Sequence, residues 1–249
     1  MADIDPSVIL LQLLIAHIIV DFFIQPRSWI DDRRKQGWRS RRLYYHSALA
    51  GIVPFILLGS LDNWPLVPVL ALTHLLIDGT KSRYDDTSRV FIVDQALHVA
   101  VIVIVWAVMF SMGLAVNDIA AEIGSLWSDP RICLVLLGAG LLTIPASIFI
   151  GKLMKRWGPA GDNASEGGKD TKGLEDAGKV IGITERIIVF ALILAGQFTV
   201  IGFVIATKSI FRLKEGSTRA EYYLVGSMLS FSLAIATGLI VQYLIGALV

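Results

Sequence analysis

Long apolar runs, each near the thickness of a bilayer and separated by charged loops, constrain this chain more than any other feature. A helix needs about 20 mostly apolar residues to cross the hydrocarbon of a membrane. Seven such stretches occur, at roughly 8–25, 46–61, 65–80, 90–113, 131–151, 183–207 and 221–248. They are rich in Leu and Ala and do not alternate, which argues against strands. The expectation is an all-α, polytopic transmembrane helix bundle of about seven membrane segments, with one a candidate for a re-entrant element. The second and third stretches are short and carry Pro54, Pro65 and Pro68, which favours tilting or kinking. Only 17% of the residues are charged, against about 25% in soluble domains.

Charge sets the orientation. Arg27, Arg33, Arg34, Lys35, Arg39, Arg41 and Arg42 lie between the first two stretches, with Trp29 and Trp38 as interfacial anchors and Tyr44-Tyr45 in the aromatic belt. The positive-inside rule then puts this loop in the cytoplasm and the N-terminus outside. The loops holding Lys81, Arg83 and Arg89, and Lys152, Lys155 and Arg156, also fall inside. Lys208, Arg212, Lys214 and Arg219 break the pattern, because a simple seven-span chain puts them outside. Either the rule is overridden there, or residues 183–207 form a re-entrant or broken element. The acidic start is unlike the basic start of a signal peptide, so the first helix is expected to be retained.

The chain divides into four regions. Residues 1–113 form a four-helix half; 114–157 hold an outer loop, with a short interfacial helix in 114–130, and the fifth span. Residues 158–179, rich in glycine, read as a flexible cytoplasmic linker. Residues 180–249 form a C-terminal transmembrane half. The net charge of +1 argues against nucleic acid. The single Cys133 excludes a disulfide framework or a multi-cysteine metal motif.

The polar exceptions inside the apolar runs carry the chemistry. His17-x-x-x-Asp21, His74-x-x-x-Asp78 and Asp94-x-x-x-His98 each set two side chains one helical turn apart on one face. Helices one and three run toward the cytoplasm with His first; helix four leaves it with Asp first. At about 1.5 Å per residue, all three His then lie roughly 9–12 Å, and all three Asp roughly 3–6 Å, from the same membrane face. His46 opens helix two on that side, and Gln25, Lys81 and Gln95 sit there too. Ionisable groups in spans are costly and normally face a partner inside the bundle. Imidazole with carboxylate suits zinc first, then iron or manganese, as one ion or two. A metal-free polar network or proton relay remains open. Asp31, Asp32, Asp85 and Asp86 read as solvated loop charges.

At these residues the chain resembles a family of bacterial integral membrane proteins whose domain is of unknown function. The matching pieces are Ala16-His17-x-x-x-Asp21-Phe-x-x-Gln25, His46-Ser47, His74-Leu-x-x-Asp78-x-x-Lys81 and Phe91-x-x-Asp94-Gln95-x-x-His98. Ile181-Gly182-x-x-Glu185-Arg186, Ile201-Gly202-Phe203 through Lys208-Ser209, and Glu221-Tyr222-Tyr223-Leu-x-Gly226 extend the likeness over nearly the whole chain. A weaker likeness is to LexA-regulated membrane-bound metal-dependent hydrolases, which implies a reaction class by analogy.

The favoured function is an enzyme of the bacterial cytoplasmic (inner) membrane. Its divalent metal is held by His17, His74 and His98, with Asp21, Asp78 and Asp94 as ligands or orienting partners and His46 in the same set. Asp21 or Asp94 takes a proton from water, and Lys81 or Arg186 stabilises an anionic transition state. Glu185 is a further residue worth testing beside the cluster. Placement near the inner headgroups suits hydrolysis of a lipid or another amphiphile. The alternatives are a divalent-cation or proton-coupled transporter or channel, and a metal-stabilised assembly or signalling protein whose basic loop binds anionic lipid. Membrane lipids are the expected partners, and a homo-oligomer is compatible with all three readings.

Overall fold

The computed structural model describes residues 5–59, 61–111, 127–155, 170–212 and 217–248. Every regular element among these residues is helical, as the apolar runs predict. Two compact units divide the chain between Leu137 and Gly138.

In the first unit, α1 (Pro6–Ile18) starts on Asp5, whose carboxylate accepts from the Ser7 backbone N–H at 2.9 Å. It continues into a π-helical turn, Ile19–Ile24. Such turns insert one residue into the helical ladder and rotate the side chains beyond it, and this one carries Asp21. A short helix, α2 (Arg27–Gln36), ends at Gly37, whose φ of 55° reverses the chain. Trp38 then lies against Gly79, where a Cβ would run into its indole. Ser40 caps α3 (Arg41–Leu58), and after it come α4 (Leu66–Lys81) and α5 (Ser88–Ser111). The α3–α4 pair packs closely at Gly51, where a Cβ would meet the Val67 carbonyl. Leu13, Leu58, Leu66, Leu70, Ile102, Val105 and Met109 form the apolar core among α1, α3, α4 and α5.

Among the described residues, Pro6–Ile24, Ser88–Ser111, Pro130–Met154 and Leu224–Ala247 are long and apolar enough to cross a membrane. The stretches expected at 46–61 and 65–80 fall short of that measure. Their helices have 18 and 16 residues, and α3 spends its first turn on Arg41 and Arg42. Val93, Leu97, Ile104 and Val108 nonetheless point outward from α5, the signature of a surface meant for something other than water.

The second unit contains α6 (Pro130–Leu142, which begins before the divide), α7 (Ile144–Met154), α8 (Asp170–Leu194), α9 (Phe198–Arg212) and α10 (Ser217–Ala247). Residues 170–179, expected within a linker, form the start of α8. The rest of that linker, 158–169, and residues 114–126 of the expected interfacial helix lie outside the described residues. The α6–α7 run is broken at Thr143, and Pro145 in the first turn of α7 has no N–H to restore the ladder. Arg186 fills the gap. Its guanidinium donates to the Leu142 carbonyl (2.6 Å), the Thr143 carbonyl (3.2 Å), Ser147 Oγ (2.6 Å) and Ser230 Oγ (3.1 Å).

The stretch 183–207 is broken too. α8 ends at Leu194, Gly196 adopts φ 70°, and α9 begins at Phe198. Lys208 on α9 pairs with Glu185 on α8. These residues stand nine positions before the end of α8 and ten after the start of α9. Two arms of about 15 Å therefore run antiparallel, each about half the hydrocarbon thickness. Of the two alternatives left by the charge pattern, a broken, hairpin-like element is the one observed. A single cysteine at Lys179 and another at Arg212, each in a Cys133→Ser background, are expected to react with an impermeant maleimide from the same side of a vesicle. Labelling from opposite sides would show that the chain crosses there.

Candidate metal centre

The i,i+4 pairs converge as their spacing requires. α1 supplies His17, the π-helical turn Asp21, α3 His46, α4 His74 and Asp78, and α5 Asp94, Gln95 and His98. The four imidazoles, Asp78 and Asp94 are each at most 9% exposed. The Asp21 side chain is 8% exposed. The rings of His74 and His98 stack at 4.2 Å between centroids, His46 meets His74 at 4.7 Å, and His17 meets His98 at 5.0 Å.

Ligand atoms face one another within this packing. His46 Nε2 and His74 Nε2 are 2.9 Å apart, and Asp21 Oδ1 lies 3.5 Å from the first and 3.4 Å from the second. Ligands at 2.0–2.2 Å from a tetrahedral zinc are about 3.3–3.6 Å from each other. The two histidine–aspartate distances fall in that range, whereas the histidine pair is at hydrogen-bond distance, closer than an ion between them would set it. Asp78 Oδ2 lies within the same reach, 3.4 Å from His46 Nε2 and 3.5 Å from His74 Nε2. Asp21–His46–His74, His17–His74–His98 and Asp78–Asp94–His98 are each grouped closely enough to hold an ion. Asp21 Oδ1, Asp94 Oδ1 and His98 Nε2 are buried without a hydrogen-bond partner. Burying such atoms unsatisfied costs about 1–3 kcal/mol each, so a cation among them would remove a standing penalty.

The supporting residues are the part that sequence reasoning read incompletely. Gln95 accepts or donates at three points: its Oε1 meets His17 Nε2 at 3.2 Å, and its Nε2 donates to Asp94 Oδ2 at 3.0 Å and to Asp21 Oδ2 at 3.4 Å. Lys81, expected either to hold a phosphate or to pair with a carboxylate, pairs with Asp94. Arg33, counted with its neighbours in the cytoplasmic basic loop, is 5% exposed and pairs with Asp78. The available signal was amphipathicity. Arg33 shares a helical face with Ile30, whereas Arg34, Lys35 and Gln36 point outward. Asp32 is also more than a solvated loop charge, since it accepts from Gln36 Nε2 at 2.6 Å and Ser40 Oγ at 2.5 Å. Arg34 pairs with Asp86 at 2.7 Å.

Asp78 faces α2 through its pair with Arg33. Beyond the imidazoles, a cavity of about 30 Å³ is bounded by Leu13, Pro54, Leu70, Val101 and Ile102 together with His17, His74 and His98. Arg186, considered beside Lys81 as an anion-stabilising group, has its donors engaged by Leu142, Thr143, Ser147 and Ser230 within the second unit. Glu185 is held by Lys208 there.

Among the described residues every regular element is helical, four helices are long and apolar enough to cross a membrane, and a buried His/Asp cluster could hold a metal ion, which together define a membrane-suited helical bundle with a candidate metal centre. Residues 9–126 match the family described as "Protein of unknown function (DUF3307)". The match contains all seven His and Asp residues of the cluster, Arg33, Lys81 and Gln95 included beside them, and it stops short of the C-terminal motifs that the sequence likeness also embraced. No curated protein and no solved structure matches the chain.

Breaking a buried ion pair by removing one partner typically costs about 3–5 kcal/mol. Arg33→Met is expected to lower the stability of metal-free protein by that order in thermal unfolding with chelator present. Adding Asp78→Asn should recover most of the loss, because the stranded charge is then gone.

Proposed function

We propose that this protein is a metal-dependent hydrolase of the bacterial cytoplasmic membrane, acting on a lipid or another amphiphile from the inner face. The observation that carries this reading is the Asp21–His46–His74 triad. Three protein ligands of this kind leave a coordination position for water or substrate, the pattern of catalytic rather than structural zinc sites. Zinc is the first choice for such a nitrogen and oxygen set, with iron or manganese next.

A divalent ion there supplies Lewis acidity, polarising a substrate oxygen and acidifying water. The chain's own groups do the rest. Asp94 Oδ1 is the acceptor left free by Lys81 and Gln95, and it is the candidate to take a proton. Lys81, 23% exposed at its side chain, is the partly accessible cation beside the cluster, available to an anionic group of the substrate. Gln95 orients His17, Asp21 and Asp94 together.

The orientation draws on the hairpin. With 183–207 returning to its starting side, the basic stretches at 27–42, 81–89, 152–156 and 208–219 all obey the positive-inside rule, with the N-terminus outside. The cluster then lies at the depth of the inner headgroups, where an amphiphile enters sideways. A conducting path is disfavoured by the apolar core of Leu13, Leu70, Ile102 and Val105 among the same four helices.

Detergent-purified protein is expected to carry zinc, or iron or manganese, in stoichiometric amount, and His74→Ala or Asp21→Asn should abolish it. Chelation should stop hydrolysis of a panel of bilayer phospholipids and lipid-linked phosphates, and zinc should restore it. Absence of bound metal from the wild type would overturn the reading, and uptake of the ion into sealed proteoliposomes would replace it with a transporter. Gln95→Ala should weaken metal binding by about 10–100-fold, the usual cost of losing an orienting partner, as measured by competition with a chelator.

A further inference from the structure

We propose that the cluster holds two metal ions, the second at Asp78, Asp94 and His98, with Asp78 bridging to the first. This rests on the reading that Asp21, His46 and His74 bind an ion. With both ions in place Asp94 Oδ1 would serve as a ligand rather than as the proton acceptor, and the first ion would keep room for water by taking a fifth ligand.

Asp78 turns its two oxygens toward different ligand groups. Oδ2 faces His46 and His74 at 3.4 and 3.5 Å, whereas Oδ1 lies 3.8 Å from His98 Nε2. His98 Nε2 is in turn 3.7 Å from Asp94 Oδ1. Those two atoms are buried, face each other beyond hydrogen-bond range, and have no hydrogen-bond partner elsewhere. Neither side chain is loosely held. Lys81 and Gln95 fix the other oxygen of Asp94, and His98 stacks on His74. The two distances to His98 Nε2 stand a few tenths of an ångström wider than the tetrahedral spacing of about 3.3–3.6 Å, and the three residues offer ligand atoms within 4.8 Å of one another, a spread that rotation of the carboxylates narrows.

The pairing of Asp78 with Arg33 does not block this role, because an ionised carboxylate has about four lone-pair sites. Two-metal hydrolytic centres hold their ions about 3.5–4 Å apart, a span that one carboxylate bridges. The charge balance comes from the same residues. Three aspartates against Arg33, Lys81 and two divalent ions leave three positive charges with the imidazoles neutral. A centre with that excess takes anionic ligands, and the fitting substrate class is a phosphate ester on an amphiphile.

The test is titration of metal-stripped full-length protein in detergent with manganese, monitored by electron paramagnetic resonance. The expected result is saturation at two equivalents, with an exchange-coupled spectrum growing in with the second. Asp94→Asn and His98→Gln should each bind one equivalent and show an isolated-ion spectrum. Millimolar inorganic phosphate should alter the coupled spectrum of the wild type. Saturation of the wild type at one equivalent, or two equivalents without coupling, would overturn the proposal while leaving the single-metal hydrolase intact. Persistence of coupling in Asp94→Asn would also overturn it. A coupled spectrum indifferent to phosphate would overturn the substrate class alone. No binding at all would remove the first site as well. The wild-type titration decides the matter even if a variant fails to fold.

Discussion

The constraint on which the rest of this structure depends is that a charge among apolar helices needs a partner. Isolating an ion from water costs several kcal/mol even after relaxation. Asp78 meets Arg33, Asp94 meets Lys81 and Glu185 meets Lys208. Arg186, 3% exposed, meets the carbonyls and hydroxyls around a broken helix. These pairings fix backbone as well as side chains. α2 lies where it does because Arg33 must reach Asp78, and the reversal at Gly37 lets Trp38 close over Gly79 beside it.

The first unit is consequently polarised. One part of the α1, α3, α4 and α5 packing is filled by Leu13, Leu70, Ile102 and their neighbours, and the adjoining part is filled by imidazoles and carboxylates. The π-helical turn marks the boundary on α1, since it begins two residues after His17 and holds Asp21 against the histidine pair. Such turns cost helical regularity and recur at functional sites. Here the gain is an oxygen aimed at His46 and His74 from a helix otherwise built for the bilayer.

Much of the candidate site was legible in the sequence because helical periodicity is local. His17 and Asp21, His74 and Asp78, and Asp94 and His98 share faces by spacing alone, and the alternation of helix direction forces one depth. Arg33 was hidden because it sits among six other basic residues, and composition cannot say which one turns inward. Lys81 had two readings until Asp94 was found beside it. Arg186 resembled a site residue, yet its partners include the carbonyls of Leu142 and Thr143, which carry no side-chain signal. The span count was the weakest reading, because α4 is short of the usual membrane-crossing length and α3 spends its first turn on Arg41 and Arg42.

By itself the sequence determined that the chain is helical, that it carries apolar runs suited to a membrane, and that its His and Asp residues pair on shared helical faces. Each of these comes from composition and from periodicities that repeat within a few residues. Only the tertiary structure decided which imidazole faces which carboxylate, that Arg33 and Lys81 neutralise two of the three aspartates, and that 183–207 folds back on itself. The physical reason is that those outcomes depend on distances between residues far apart in the chain. Low dielectric makes every such pairing matter, but packing alone chooses the partners.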